Sequence, residues 1–149
     1  MLFRSRLRED DAAAAPVVEE LLRYLTVVQI AFPRFVRKDM ELFGTTLHAG
    51  DVVICSLSGA NRDGALAGDD AELFNPGRFA GRPMTSHLAF GYGMHRCVGA
   101  ELGRMELMTA IPALVRRFPE MRLAVPTSEL DFRDLSIVYG VDALPVLVD

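Results

Sequence analysis

The sequence predicts an α+β fold with two main helices and short antiparallel strands. One helical stretch, Ala14–Leu25, has a proline in its first turn and its apolar residues on one face. A second stretch, residues 98–118, carries an apolar stripe and has two arginines in its last turn, and a proline follows it. Between and after these helices lie short β-branched runs bounded by glycine and proline, a pattern typical of short strands. Parallel strand–helix–strand units would contradict this prediction.

The stretch between the helices begins with extended chain and a hairpin. We expect residues 1–15 to form a short arm and residues 27–30 to be extended. Residues 35–47 alternate loosely around Gly44, which predicts a β-hairpin. Residues 51–57 read DVVICSL, a continuous apolar run that indicates a buried strand in which Cys55 is a small buried hydrophobe.

The next stretch, residues 61–83, is rich in Gly, Asp, Asn and Pro and predicts a long ordered meander. Apolar anchors are available within it at Leu73, Phe74 and Phe79. After the second helix, the predicted short strands are residues 122–125, 134–139 and 145–148.

Composition narrows the class of protein. With 149 residues, half of them hydrophobic, the chain has the size and content of one globular domain. A net charge of −4 provides no basic field for nucleic acid or an anionic membrane surface. The sequence contains neither a signal-peptide core nor an apolar span of about 20 residues. Cys55 and Cys97 suggest no disulfide framework and no structural zinc site. We therefore expect a soluble, cytoplasmic protein.

The most informative stretch is residues 88–102, which read LAFGYGMHRCVGAEL. Its residue types suit a metal-bound thiolate at Cys97. Gly91 and Gly93 permit positive φ and close approach to a flat partner, and Gly99 lets the loop turn into the following helix beside a bulky ligand. Phe90 would shield the sulfur from water. The amide groups at the start of that helix suit an anionic sulfur.

This loop resembles the haem-binding loop of the cytochrome P-450 family, the haem-thiolate monooxygenases, whose pattern is Phe-Gly-x-Gly-x-His-x-Cys-x-Gly. Six fixed positions match at the family spacing, which is far more specific than a lone Gly-x-Gly or a glycine-rich turn around a free cysteine. They are Phe90, Gly91, Gly93, His95, Cys97 and Gly99. The resemblance implies haem b (iron protoporphyrin IX) as cofactor, with Cys97 as the axial iron ligand.

Two cationic residues fall where bacterial members of the family bind the haem propionates. Arg34 follows a proline ahead of the predicted hairpin, and His95 lies within the cysteine loop. A guanidinium suits a carboxylate by geometry and charge, although Arg34 could instead be an exposed hairpin arginine. His95 is not expected to be an axial ligand, because Cys97 lies two residues away and cannot share the same iron face.

A second family motif, Glu-x-x-Arg, is met by Glu20 and Arg23 on the first helix. By spacing alone this is a solvated i, i+3 pair. The resemblance implies a three-member structural network with Arg78 of the meander. We expect the neighbouring Glu19 to stay a surface charge. His48 and His87 are expected to make ordinary turn or backbone hydrogen bonds.

The resemblance runs from about Pro16 to Asp149 and matches only the C-terminal part of a catalytic domain more than twice as long. Residues 1–149 are therefore predicted to be one C-terminal haem-binding portion, of the bacterial soluble type, without the distal oxygen-activating helix. The family activity inserts one oxygen atom of O2 into a small organic substrate, with electrons from a ferredoxin or flavodoxin-type donor. Three alternatives stay open. The chain is the haem-binding portion of a monooxygenase, either as a fragment or together with a separately encoded N-terminal half; it is an inactive remnant; or it is a non-enzymatic haem-binding protein.

Overall fold

The computed structural model describes residues 2–79, 87–134 and 136–148, so residues 80–83 of the predicted meander lie outside the described residues. The helices are, in chain order, α1 (Leu2–Glu9), α2 (Ala14–Leu25), α3 (Leu57–Asn61), α4 (Gly64–Ala67) and α5 (Ala100–Arg117). The strands are β1 (Arg34–Phe35), β2 (Met40–Leu42), β3 (Thr45–Leu47), β4 (Val52–Val53), β5 (Arg122–Leu123) and β6 (Val146–Leu147).

The strands form three small antiparallel sheets, each of two strands, in which β1 pairs with β4, β2 with β3 and β5 with β6. The predicted α+β class is confirmed. The first main helix has the predicted bounds, and the second begins two residues later and ends one residue earlier than predicted. Both were predictable because strong helical periodicity is a local property of the sequence.

Helix α2 lies at the centre of the described fold and packs against α5, α3 and the 3-10 helix Pro76–Phe79. Its apolar face contributes Val17 to a core that also contains Leu7 and Val115. The helix ends at Thr26, whose φ of +40° takes the chain into the left-handed region. Unusually for a helix, α2 also buries charged side chains, and these position the candidate site.

The N-terminal arm is instead helical, so that prediction was wrong. Helix α1 packs along α5 through Leu7, which is 2% exposed. Arg4 donates to the carbonyl of Pro119 at 3.0 Å, and Arg116 pairs with Asp11. Because half of the residues of this short helix are charged, its stability depends on docking against α5 rather than on a pattern visible in isolation.

The predicted hairpin forms over a shorter range, with β2 and β3 joined by Phe43 and Gly44. Both turn residues have positive φ, +48° and +77°, as a two-residue hairpin loop of the I′ type requires. Phe35 does not belong to this hairpin, since it pairs with Val52 in the β1–β4 sheet.

The buried strand predicted over residues 51–57 was wrong. Only Val52–Val53 form a strand, and Cys55 is exposed. Ser56 ends the extended segment because its Oγ accepts from the amide of Gly59 at 2.9 Å, which caps the start of α3.

Two further predictions fail toward the C-terminus. The stretch 134–139 forms no strand among its described residues, and its contribution to pairing is a single bridge from Val138 to Val28. The apolar stripe of α5 is only partly used, since Leu102 and Met105 are exposed while Arg104 and Val115 are buried. Among the helices of the described ranges, none combines the length and the apolar character needed to span a bilayer.

Candidate haem-binding site

The cysteine loop is a tight turn that delivers Cys97 just ahead of α5. The amide of Cys97 donates to the carbonyl of Phe90 at 2.8 Å, which closes the loop. Gly91 and Gly93 have φ of +73° and +76°, the left-handed conformation that side chains disfavour. Between them and the cysteine, Gly93–His95 form a short 3-10 helix. The first two glycines of the motif are therefore required by the backbone path itself.

The thiol of Cys97 is free and exposed. A Cβ added at Gly99 would lie 3.8 Å from Cys97 Sγ, and a Cβ added at Gly93 would meet no atom within 4 Å. Val98, next to the cysteine, is fully exposed despite being apolar. An accessible sulfur on a glycine-lined loop with apolar neighbours fits a large flat apolar group with a metal at its centre.

The two candidate propionate ligands are both exposed. Arg34 lies in β1, where its guanidinium donates to the carbonyl of Phe32. His95 ends the 3-10 helix of the cysteine loop. Both side chains are thus accessible to an anion. The same exposure is expected if Arg34 is only a surface arginine, the alternative that the sequence left open.

Glu20, Arg23 and Arg78 lie together in the interior. Arg23 donates to both oxygens of the Glu20 carboxylate, from Nε at 2.7 Å and from Nη2 at 2.8 Å. Arg78 Nε lies 3.3 Å from the same carboxylate. Arg23 and Glu20 are at most 1% exposed and Arg78 is 8% exposed. Burial at this depth excludes the solvated-pair interpretation.

The network also holds the main chain of the meander. Arg23 donates to the carbonyls of Asn61, Ala71 and Leu73 at 2.8, 2.8 and 3.1 Å. In return, the amide of Asn75 donates to Glu20 at 2.7 Å. The meander is therefore attached through its backbone, which explains how Leu73, expected to be an apolar anchor, can be 63% exposed. Phe79 is buried, as predicted, at 7% exposure.

Asp70 supports Arg78 from the outer side. Hydrogen bonds from Asn75 and Arg78 hold the pKa of the Asp70 carboxyl below its ordinary value. Arg78 thus lies between two carboxylates, one buried on α2 and one near the surface.

The prediction that Glu19 is a surface charge was wrong. Glu19 is 1% exposed and accepts from Arg104 Nε at 2.7 Å and Nη2 at 3.2 Å. His87 Nε2 lies 2.8 Å from the same carboxylate. His87 does make the expected backbone bond, from the amide of Ala89 to Nδ1, but its main partner is Glu19. His48, in contrast, lies in an exposed turn beside Asp39.

The sequence did not predict this second cluster. Adjacent residues on a helix point about 100° apart, so an inward-facing Glu20 favours an outward-facing Glu19. The available signal was an arginine on α5 placed among apolar residues, at position 104. Helix α2 buries both carboxylates. Glu20 binds the meander, and Glu19 binds the residues on either side of the cysteine loop.

Burial by itself would raise the pKa of Glu19, but the hydrogen bonds from His87 and Arg104 outweigh it and lower the pKa below its ordinary value. The ionised carboxylate therefore stabilises the fold fully above the unfolded pKa of about 4.3, and this contribution is lost as the pH falls through the lower folded value.

We expect the free energy of unfolding of Glu19→Gln to fall less than that of wild type between neutral and acidic pH, because the variant has no carboxylate to protonate at this position. Urea denaturation at a series of pH values measures the difference. Glu101 is an exposed residue that also pairs with Arg104, and Glu101→Gln should keep the wild-type dependence of stability on pH. Parallel profiles for wild type and Glu19→Gln would contradict the assignment.

The comparisons with known proteins agree with this geometry. The family model for Cytochrome P450 matches residues 14–132. The chain is 44% identical over 144 residues to Cytochrome P450-SU2 of Streptomyces griseolus, covering 95% of this chain and 34% of that protein. It is 42% identical over 140 residues to the Vitamin D3 dihydroxylase of the same organism, covering 94% and 33%. The crystal structure of GfsF, a cytochrome P450 of Streptomyces halstedii, superposes with a TM-score of 0.85 at 37% identity, covering 97% of this chain and 36% of that one.

The chain therefore belongs to the cytochrome P450 family. It spans about a third of the length of the curated relatives it matches. The matched region includes α2, the meander and the cysteine loop, so the resemblance drawn from the sequence is confirmed at the level of the family.

Proposed function

We propose that this chain is the thiolate-bearing C-terminal portion of a cytochrome P450 monooxygenase, with Cys97 as the axial ligand of haem iron. The observation that carries the proposal is the free, exposed thiol of Cys97 on a loop closed by the Phe90 carbonyl, in a chain of this family. Haem bound through a cysteine thiolate activates molecular oxygen for insertion of one oxygen atom into an organic substrate.

The other loop residues would serve the cofactor, haem b, in different ways. Gly91 and Gly93 supply the backbone path that brings the loop against a flat ring, and Gly99 leaves the space beside the sulfur open. Phe90 supplies the acceptor for the Cys97 amide and an apolar ring that packs against Gly103 of α5. Arg34 and His95 would bind the propionates, because each presents an exposed cationic or donor group to an anion. In this proposal residues 1–149 form a single C-terminal haem-binding portion of the P450 domain.

The Glu20–Arg23–Arg78 network has a structural role in this proposal. It holds the meander on α2, and α2 in turn supports the loop that carries Cys97. Among the described residues, every buried side-chain nitrogen or oxygen has a hydrogen-bond partner. Leaving a buried polar group unpaired costs about 1–3 kcal/mol, so selection for a folded protein removes such changes. In a coding sequence free of selection they would accumulate, and the matching would be lost. This favours a functional portion over an inactive remnant.

The described surface includes large apolar side chains that nothing in the described part covers. They include Phe32, Phe35, Phe43, Val52, Ile54, Val98 and Leu102. So many large exposed apolar side chains favour burial of part of this surface by another polypeptide segment. We infer that the N-terminal two-thirds of the family fold covers it, as part of a longer chain or as a separately encoded half, and completes the pocket for a small organic substrate. Electrons would come from a ferredoxin or flavodoxin-type donor.

A haem titration tests this proposal. With only one face of the ring covered, the chain alone should bind haem weakly, because much of the apolar ring stays in water. Adding the N-terminal two-thirds of Cytochrome P450-SU2, expressed separately, should tighten binding by at least about tenfold and give the red-shifted carbon monoxide spectrum of the family. A Cys55→Ser version should behave identically, since that exposed thiol lies outside the loop.

Other outcomes would contradict the proposal. Tight binding by the chain alone, unchanged by the added polypeptide, would indicate a self-sufficient haem-binding protein. The absence of haem uptake in both conditions would indicate a remnant.

A further inference from the structure

The Glu19 cluster joins the two chain segments that flank the proposed iron ligand. His87 precedes Cys97 by ten residues and Arg104 follows it by seven. One buried carboxylate on α2 binds both, His87 at 2.8 Å and Arg104 at 2.7 Å. The family motifs that we identified in the sequence include neither Glu19, His87 nor Arg104. The cluster therefore fixes both ends of the segment that carries the cysteine.

The hydrogen bonds orient each member of the cluster. The amide of Ala89 can only donate, so Nδ1 of His87 must accept, and the ring proton lies on Nε2 and points at Glu19. Glu19 and Arg104 form a buried ion pair beside the His87 ring. Such a pair is weak evidence for stability, but its geometry is specific because each donor has one place to bind.

Phe90 transmits the position of the cluster to the cysteine. The Arg104 guanidinium lies 4.9 Å from the centre of the Phe90 ring, and the His87 ring lies 6.4 Å from it. On the α5 side, the ring packs against Gly103, where a Cβ would lie 3.6 Å from Phe90 Cζ, an ordinary van der Waals distance. The carbonyl of Phe90 accepts the amide of Cys97 at 2.8 Å. A shift of Phe90 would therefore move the cysteine backbone.

Asn61 provides a second attachment next to His87. Its side-chain oxygen accepts from the amide of Leu88 at 2.7 Å, and its side-chain nitrogen donates to Thr26 at 2.9 Å. Its backbone carbonyl accepts from Arg23. One fully buried residue thus links the Glu20 network, through Arg23, to Leu88, the chain neighbour of His87. The start of the cysteine loop is attached to α2 by both.

We propose that Glu19 and His87 are positioning residues for the Cys97 thiolate and act through Arg104 and Phe90. This inference rests on the proposed role of Cys97 as iron ligand. It adds to that role a set of contacts on α2 that orients the loop before the cofactor binds. Second-layer contacts of this kind orient ligands in many metal sites.

Amide hydrogen exchange of the chain without haem tests the inference directly. In Glu19→Gln, the Cys97 amide should exchange at least about tenfold faster than in wild type, because its acceptor on Phe90 loses its support. Glu101→Gln is the matched control. It removes a carboxylate that lies 3.1 Å from the same Arg104 guanidinium and 3.1 Å from Arg96 of the loop. Because the Glu101 side chain is 76% exposed, these pairs are weak and exchange at Cys97 should not change. The amide of Ile111 in α5 reports global opening.

Faster exchange at Cys97 with Ile111 unaffected supports the inference. Wild-type exchange at Cys97, or an equal increase at both amides, overturns it. If Glu19→Gln does not fold, His87→Gln decides by the same criteria, since it keeps the Glu19–Arg104 pair but removes the ring beside Phe90. In the haem-loaded complex, each variant should also lower the fraction with the red-shifted carbon monoxide band, and Glu101→Gln should not. Failure of wild type to bind haem would count against the proposed function alone, because the exchange measurement needs no haem.

Discussion

Arg23→Ala should yield no soluble, folded protein. The change leaves the Glu20 carboxylate, which is fully buried, without its two hydrogen bonds from Arg23 and frees three meander carbonyls. Removing one partner of a buried ion pair typically costs about 3–5 kcal/mol. Total stabilities of domains are about 5–15 kcal/mol, so the loss is a large part of what is available. Soluble yield and thermal unfolding would measure it.

Arg133→Ala is the control for this prediction. Arg133 also pairs with a carboxylate, Asp142 at 3.4 Å, but both side chains are about half exposed or more. Exposed pairs contribute about 0–1 kcal/mol, so yield and melting should stay near wild type. Equal behaviour of the Arg23 and Arg133 variants would show that the buried network does not stabilise the chain.

The features predicted well from the sequence depend on local patterns. The bounds of α2 and α5 follow from helical periodicity, and the positive φ of Gly91 and Gly93 follows from the glycines themselves. The meeting of Arg78 with Glu20 could be expected only through the family resemblance, since the two are 58 residues apart. Spacing along the chain carries no information about that contact.

The features predicted poorly depend on tertiary partners. Glu19 looks like a surface charge until α5 brings Arg104 against it. The apolar run around Cys55 has the pattern of a buried strand, yet only its start forms a strand, a single bridge joins Ser56 to Ile30, and Cys55 stays exposed. A strand is buried only where another element packs over it, and an apolar run in the sequence does not show whether such an element is present. Helix α1 was missed for the related reason that its stability comes from docking on α5.

The central claim, that Cys97 is the iron ligand, is tested most directly by the carbon monoxide spectrum of the reduced haem complex. Cys97 and Cys55 are both free and exposed, so each serves as the matched control for the other. We predict that Cys97→Ser loses the red-shifted Soret band, because a neutral hydroxyl cannot donate electrons as a thiolate does. Cys55→Ser should keep the band. The complementary N-terminal polypeptide or an excess of haem should be present, so that weak binding does not hide the result. Identical spectra from wild type and Cys97→Ser would contradict the thiolate assignment.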